Sequence, residues 1–346
     1  MGGTAHVSFL NVTDDDPAEL ATFEAAIGMP LHPVARDHLL DSREHELTPF
    51  PRIENHGEYL FGMLFVPSDT GNTKADFDHI VFAISFEHVA ISVAAHRSST
   101  HDWDAIVPAL GTQRSYSGDT APGGRFLLEL LDVVARTLSD DAVNLEQMVH
   151  RRTSDLGSGI DLTQSIEPGE TEKLTSKSRR RIMETYREHG PILSAVRHEM
   201  PAMLGVVSET SGVLGSLVND DDRVDIKQDS STGRRELFSK ELEIYLADIH
   251  IDTRNLIALL QSVDTSITAT KEFMKQLNDD ENVASNRFTG AIASIMLLPT
   301  FIVGLYGQNF DDMPETHWHF GYGFSWAAIV AVTLFQVWFF RRRKWL

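Results

Sequence analysis

The sequence predicts an α+β cytosolic domain followed by a long stalk helix and two C-terminal transmembrane helices. Three observations predict this fold class: β-rich runs within the first hundred residues, an unbroken apolar stripe at helical spacing between 242 and 277, and two uncharged apolar runs near the C-terminus. Apolar runs of about 17 to 25 residues are long enough to cross a bilayer. We therefore expect a soluble domain joined to a membrane part at its C-terminal end.

Composition excludes several classes of protein. The chain has 346 residues, a formal net charge of -20 and no cysteine. Its hydrophobic content of 42% is enough for a sizeable core, so a wholly disordered chain is excluded. Without cysteine there are no disulfides, thiolate nucleophiles or Cys-ligated metal centres. The acidic excess repels phosphate backbones and attracts cations, so we expect no nucleic-acid partner.

Residues 1–165 are predicted to form an α/β domain. Its N-terminal segment lacks the basic and apolar regions of a secretory signal, so we expect the domain to be cytosolic. Three β-rich runs bounded by turn residues predict a small sheet: 59–66, 79–85 and 88–95. Three segments with helical spacing predict helices: 16–27, 103–110 and 124–151. Residues 166–238 are predicted to be a cytosolic helical region.

The stalk helix is predicted from an apolar stripe with a regular spacing of four and three residues. The stripe consists of Leu242, Leu246, Ile249, Thr253, Leu256, Leu260, Val263, Ile267, Thr270, Met274 and Leu277. No Gly or Pro interrupts 240–287, so we expect the stalk, 239–287, to continue into the apolar segment that follows. A helix over 239–306 would span roughly 100 Å.

Two transmembrane helices are predicted at 288–306 and 324–340, joined by an outer loop at 307–323. A basic tail, 341–346, follows the second span, whereas the loop contains no Lys or Arg. By the positive-inside rule, both termini are cytosolic and the loop lies outside. We expect a multi-pass protein of the inner or plasma membrane, with the lipid bilayer as a partner.

A second stripe on the same helix is small or polar. It consists of Glu272, Lys275, Asp279, Asn282, Asn286, Thr289, Ala293, Leu297, Thr300 and Gly304. Hydrocarbon cannot satisfy polar side chains, so those within a span face water or a bundle interior. We predict that the stripe from Asn286 onward lines a pore formed by several copies of the chain, with Glu272 and Asp279 at its cytosolic exit. Close helix packing by small residues is the alternative explanation.

The end of the first span resembles a known family. The sequence Tyr306-Gly307-Gln308-Asn309-Phe310, then Met313-Pro314-Glu315, then a second span ending in a basic cluster and Lys-Trp-Leu, resembles the CorA family of divalent-cation channels. Residues 31–33, 51–54 and 59–61 are similar to segments of its cytosolic domain, and 245–249 to a segment of its stalk. The resemblance implies an α/β/α domain in a funnel-shaped homopentamer. The sequence contains none of the common nucleotide-binding or hydrolase motifs, so we expect no enzyme.

The resemblance also implies site residues. Tyr306, Gly307, Gln308 and Asn309 would form the selectivity filter, where neutral oxygen atoms suit hydrated Mg²⁺ because this ion loses its water reluctantly. Gly307 would allow a sharp turn at the helix end.

Other acidic residues have implied roles outside the filter. Asp311, Asp312 and Glu315 would concentrate cations outside the pore. Asp248 would bridge subunits through a regulatory divalent cation that closes the channel.

We therefore expect a channel that imports Mg²⁺ down its electrochemical gradient, admits Co²⁺ or Ni²⁺ as further ions, and has no prosthetic group. A zinc transporter resembling ZntB, with or without proton coupling, is the first alternative. Gln308 replaces the Met of the family pattern, and His250, His317 and His319 suit zinc. A membrane-anchored cytosolic sensor without flux is the second alternative, although an anchor needs no polar stripe.

Overall fold

A computed structural model describes residues 6–10, 17–41, 50–68, 76–110, 121–156, 175–219, 225–229, 232–308 and 318–346. The chain divides into two compact units. The first consists of Met1–Ser165 and Glu184–Thr270, and the second of Ile166–Met183 and Lys271–Leu346.

A five-stranded sheet is the centre of the first unit. Its strands are β1 (His6–Leu10), β2 (Arg52–Asn55), β3 (Leu60–Pro67), β4 (Phe77–Ile84) and β5 (His88–Ala94). Their order is β1-β5-β4-β3-β2, with β1 parallel to β5 and every other pair antiparallel. The three predicted β-rich runs are confirmed as β3, β4 and β5, whereas β1 and β2 were not predicted because they are short and partly polar.

Helices cover the sheet on both faces. The first four are α1 (Pro17–Ile27), α2 (Pro33–Asp41), α3 (Trp103–Ala109) and α4 (Pro122–Leu156). Every residue of β3 and β4 is buried. Since successive side chains of a strand point to opposite faces, both faces of the sheet are covered, as in an α/β/α arrangement. At the start of α4, a Cβ on Gly123 would lie 2.0 Å from the Ser85 carbonyl oxygen, so only glycine allows this close approach.

The prediction that 166–238 is helical is correct only in part. Helix α5 (Ser176–Asn219) is followed by a hairpin of β6 (Asp225–Asp229) and β7 (Thr232–Glu236). The sequences DIKQD and TGRRE lack the apolar alternation that marks a strand, and backbone pairing between them defines the hairpin.

The long helix is confirmed as α6 (Lys240–Tyr306), and the last helix is α7 (Gly321–Arg342). All eleven positions of the predicted apolar stripe are buried. The two threonines among them donate to carbonyl oxygens of their own helix: Thr253 Oγ1 to Ile249 at 2.8 Å, and Thr270 Oγ1 to Ser266 at 2.9 Å. Helix α7 is longer than the predicted 324–340 at both ends. Arg341 and Arg342 belong to its last turn, where cations stabilise the helix dipole.

Among the described residues, three helices are long and apolar enough to cross a membrane by length and composition: Lys177–Asn219 of α5, α6 and α7. Only two were predicted. The protein itself buries 33% of the most apolar segment of α5, against 6% for α6 and 11% for α7. The apolar residues of α5 are therefore used for packing within the protein far more than those of the other two helices.

The three segments that resemble the cytosolic domain of the family meet in the first unit. The His32 backbone N–H donates to Tyr59 Oη at 2.7 Å, and the His32 ring stacks on His56 with centroids 4.8 Å apart. His56 Nε2 lies 3.3 Å from a carboxylate oxygen of Glu54. Burial lowers the pKa of His56 despite this carboxylate. These segments connect α2 to the edge of the sheet.

Asp78 of β4 is a fully buried carboxylate. It accepts hydrogen bonds from four donors: Ser99 Oγ at 2.5 Å, Trp103 Nε1 at 2.7 Å, the His96 backbone N–H at 2.8 Å and His101 Nδ1 at 3.2 Å. Burial pulls the pKa of Asp78 upwards, but these hydrogen bonds outweigh it and hold the pKa below its usual value. The hydrogen bond to Asp78 in turn raises the pKa of His101.

We predict that Asp78→Asn lowers the free energy of unfolding by about 1–3 kcal/mol, because a buried donor loses its acceptor. The loss also depends on pH. Stabilisation by protonated His101 is complete below its usual pKa of 6.5 and disappears as the pH rises through its raised value. The melting temperature of the full chain in detergent should therefore fall over this range in the wild type, and less in the variant.

Asp76→Asn is the control, because the Asp76 carboxylate has a contact of 3.7 Å with His96 and is not fully buried. We expect it to change stability by less than about 0.5 kcal/mol. Equal losses in the two variants would contradict a special role for Asp78.

Candidate functional site

Within the second unit, one side of α6 is covered. Ala291 is fully buried, and Ser294, Ile295, Pro299 and Ile302 are half-buried. On this side the Gln336 side chain of α7 donates from Nε2 to the Ser294 carbonyl oxygen at 2.8 Å. The covered side of α6 is therefore the one next to α7.

The small and polar stripe lies on the other side of α6. Ala293 and Leu297 each follow a covered position by two residues, which is about 200° around a helix. Leu297 is 69% exposed. All ten predicted positions are exposed: Glu272, Lys275, Asp279, Asn282, Asn286, Thr289, Ala293, Leu297, Thr300 and Gly304. The subunit thus leaves this stripe uncovered along its whole length, although all residues from 281 to 290 are exposed whatever their side.

Thr300 supplies an oxygen atom in the exposed stripe. Its hydroxyl donates to the Met296 carbonyl oxygen at 2.7 Å, so its hydrogen is already used within the helix. What remains is the pair of acceptor sites on Oγ1. A hydrated cation, whose water molecules point their hydrogens outward, needs acceptors of this kind.

The predicted filter is described only up to Gln308. Tyr306 is half-buried, and Gly307 donates its N–H to the Val303 carbonyl oxygen at 3.0 Å, as in a continuing helix. The helix ends at Tyr306 and the described part of this turn stops at Gln308, so the expected sharp turn at Gly307 stays a prediction. Its φ is not in the left-handed region, although a Cβ there would come within 3.2 Å of that oxygen. Several predicted residues lie outside the described part of the chain: Asn309, Asp311, Asp312, Glu315 and His317.

Asp248, the predicted regulatory residue, is exposed at the edge of a cavity of about 530 Å³ between α4 and α6. Asp252, Asp132 and Arg136 also line this cavity. The Arg136 guanidinium binds both carboxylate oxygens of Asp132, with N–O distances of 3.0 Å. This partly neutralises Asp132, so the uncompensated negative charge of the cavity lies on α6. The sequence analysis did not associate Asp132 and Arg136 with Asp248, because nothing in their spacing indicates that α4 packs there.

Within the described residues, no group of three His, Asp or Glu side chains is arranged to hold a metal ion. His319 is exposed and contacts the Phe320 ring at its edge, and the His250 ring lies against Gly215. The predicted zinc ligands are thus not brought together in the part of one subunit that the structure describes.

An α/β unit, a long helix that enters an apolar segment, and exposed small and polar positions within that segment are features of membrane proteins of the ion-transport class. The chain belongs to the CorA-like Mg²⁺ transporter family, whose model matches residues 4–342. Members of this family are transporters and not enzymes, and the resemblance seen in the sequence is thereby confirmed.

Characterised relatives match over part of the chain. The magnesium transport protein CorA of Wolinella succinogenes is 31% identical over 130 residues, which are 34% of this chain and 40% of that protein. The cobalt/magnesium transport protein CorA of Thermotoga maritima is 28% identical over 111 residues, 32% of this chain and 31% of that protein. The chain thus matches less than half the length of each.

Solved structures show the same fold over nearly the whole chain. The complete CorA magnesium transporter of Methanocaldococcus jannaschii has a TM-score of 0.64 at 16% identity, with 98% of this chain and 90% of that chain covered. The full-length CmaX protein has a TM-score of 0.60 at 15% identity, with 95% and 86% covered. At these identities the likeness extends to the fold alone.

The absence of cysteine makes the exposed stripe directly testable. We predict that Thr300→Cys and Leu297→Cys react with a membrane-impermeant thiol reagent in the assembled protein, because water reaches these positions. Ile295→Cys, on the side next to α7, should react much more slowly. Labelling is measured by mass spectrometry on protein in lipid vesicles. Equal labelling of all three positions would contradict a water-lined stripe.

Proposed function

We propose that the protein is a divalent-cation channel that admits Mg²⁺ down its electrochemical gradient, with the exposed stripe of α6 as its pore lining. The observation that carries this proposal is the position of the stripe. Its small and polar residues lie away from α7 along an apolar helix, and hydrocarbon would leave the free acceptor sites of the Thr300 hydroxyl without a donor. Water on this side of the helix satisfies them.

One narrow stripe encloses a pore only when several copies surround an axis. We therefore propose a homopentamer, the assembly that the family resemblance implies. The proposed parts are a cytosolic α/β domain at 1–165, a helical region at 166–238, a stalk at 239–287, spans at 288–306 and 324–340, an outer loop at 307–323 and a basic cytosolic tail at 341–346. The four cations at Arg341–Lys344 support cytosolic termini.

Mg²⁺ is the proposed physiological ion, with Co²⁺ as a second substrate. The relatives named above are magnesium and cobalt/magnesium transport proteins, which supports both ions. The residues of the span between Phe288 and Tyr306 carry no charge, so a passing ion meets neutral oxygen atoms. Such a path suits an ion that keeps its hydration shell. Zinc transport has less support, since no set of zinc ligands is assembled within the described residues.

We predict that Asn309→Ala lowers Mg²⁺ flux by roughly tenfold or more, the effect of losing about 1.4 kcal/mol of interaction at the pore mouth. The flux of Mg²⁺ and of Zn²⁺ is measured in proteoliposomes with and without a pH gradient. Asn144→Ala, at an exposed position of α4, is the matched control and should conduct like the wild type.

Three outcomes would contradict the proposal in different ways. Zinc flux that follows the proton gradient would favour the zinc transporter. No flux of either ion would favour the sensor. Mg²⁺ flux that Asn309→Ala leaves unchanged would remove this residue from the filter.

Regulation by internal Mg²⁺ is proposed at Asp248. A charge of -20 per subunit becomes about -100 for five subunits, so the cytosolic part of a pentamer repels itself. Asp248 and Asp252 are exposed carboxylates of α6, and among the residues that the structure describes no third ligand joins them to complete a metal site within one subunit. A divalent cation bound there would bridge to a neighbouring subunit and stabilise the closed state.

We predict that Asp248→Asn raises the internal Mg²⁺ concentration needed for half-closure by roughly fivefold or more, the lower end of the usual coupling between a ligand and a conformational equilibrium. Flux is recorded at a series of internal Mg²⁺ concentrations. Asp104→Asn makes the same charge change at an exposed position of α3 and should leave the response unchanged. An equal shift in both variants would indicate a general charge effect and no specific site.

A further inference from the structure

Gln336 is a buried amide inside the last apolar helix. It is the only Asn or Gln in the sequence of α7, and only 8% of its surface is exposed. Its Nε2 donates to the Ser294 carbonyl oxygen of α6 at 2.8 Å, across 42 residues of sequence. Its Oε1 is buried and has no hydrogen-bond partner among the described residues. The amide thus links the two helices through its Nε2, while its carbonyl oxygen accepts no hydrogen bond from the described residues.

The hydrogen bond from Gln336 lies next to an interruption in the backbone hydrogen bonding of α6. Pro299 has no N–H, so the Ile295 carbonyl oxygen lacks its usual donor in the helix. The carbonyl groups on either side both receive a side-chain hydrogen bond. The Ser294 carbonyl receives the amide of Gln336, and the Met296 carbonyl receives the hydroxyl of Thr300 at 2.7 Å. Two polar side chains therefore donate hydrogen bonds to α6 on either side of the carbonyl group that lacks its backbone donor.

The same short segment faces the proposed pore on its other side. Leu297 and Thr300 are exposed stripe positions, and Leu297 is the largest apolar side chain in the stripe. Any bend of α6 at Pro299 changes the direction of these two side chains. The amide of Gln336 forms its hydrogen bond to α6 on the opposite, covered side of the helix.

The strength of this link is suited to a reversible change. A hydrogen bond between helices in a membrane changes an equilibrium constant by about threefold on average and by up to about thirtyfold. Couplings between a ligand and a conformational equilibrium are typically about 5- to 150-fold. Removal of the link can therefore shift the balance between two bends of α6 without unfolding the helix pair.

We propose that Gln336 is a positioning residue for ion conduction: its amide holds α6 beside Pro299 and sets the balance between closed and open positions of Leu297 and Thr300. This inference rests on the proposed channel function. A polar side chain within a span is a functional candidate because burying it in hydrocarbon is costly. A purely structural tie between α6 and α7 would also use this hydrogen bond, so the test must separate stability from gating.

The test compares Gln336→Met with wild type and with Thr333→Val in proteoliposomes. Methionine keeps the length of the side chain and removes its donor and acceptor. Thr333 lies on the same helix and donates to the Ile329 carbonyl of its own helix at 2.8 Å, so Thr333→Val removes a hydrogen bond without changing the link to α6. Mg²⁺ flux is measured against internal Mg²⁺, together with the melting temperature of each protein.

We expect Gln336→Met to shift the Mg²⁺ concentration for half-closure by roughly threefold or more, with a melting temperature near that of the wild type. Thr333→Val should respond like the wild type. Gln336→Glu should restore the wild-type response at pH values where the buried carboxyl is protonated and can donate to Ser294 O. Recovery that appears at low pH and disappears at high pH would identify this donor as the cause.

Two results would overturn the inference while the proposed function stands. One is a wild-type Mg²⁺ response in Gln336→Met. The other is a lower melting temperature with an unchanged response, which would make the link purely structural. If the wild type itself conducts no divalent cation, the proposed function fails, and the inference fails with it. The wild-type measurement therefore distinguishes the two failures.

Discussion

The structure depends on one constraint, which is that two different stripes must share the continuous helix α6. The apolar stripe is buried at all eleven positions from Leu242 to Leu277, and the small and polar stripe is exposed at all ten positions from Glu272 to Gly304. Side chains three and four residues apart lie on the same face of a helix, so each stripe keeps to one side of its own part of α6. No Gly or Pro within 240–287 interrupts the helix between them.

Long periodic segments were predictable from the sequence, and short or polar ones were not. The predicted helix 239–306 agrees with α6 to within one residue. The prediction is accurate because the helical spacing of apolar residues repeats over many positions. The strand β2 has four residues, and the hairpin of β6 and β7 is almost wholly polar, so neither carries a periodic signal. Strand β1 is defined by its parallel pairing with β5, a partner 82 residues away in register.

The candidate functional residues divide in the same way. The stripe from Asn286 to Gly304 follows from helix periodicity alone, so the sequence was sufficient to place these residues on one side of the helix. Their role as a pore lining stays a prediction. The cavity beside Asp248 depends on α4 packing against α6, and the bond from Gln336 to Ser294 joins two helices. The spacing of residues within one helix does not indicate which residues of another helix it contacts. A single amide in an apolar helix was nevertheless a visible signal for Gln336, since polar groups in spans are costly.

The distribution of charge along α6 bears on how a cation would be selected. Carboxylates lie at Glu272, Asp279, Asp280 and Glu281, whereas residues 288–306 carry none. A carboxylate inside the span would bind a bare divalent ion tightly and slow its release, whereas neutral acceptors bind the water molecules around the ion. The hydroxyl of Thr300 is such an acceptor, because its hydrogen is held by the Met296 carbonyl. In the proposed channel, the carboxylates at the stalk end of α6 would attract the ion, and the uncharged oxygen atoms along the span would leave it hydrated and free to pass.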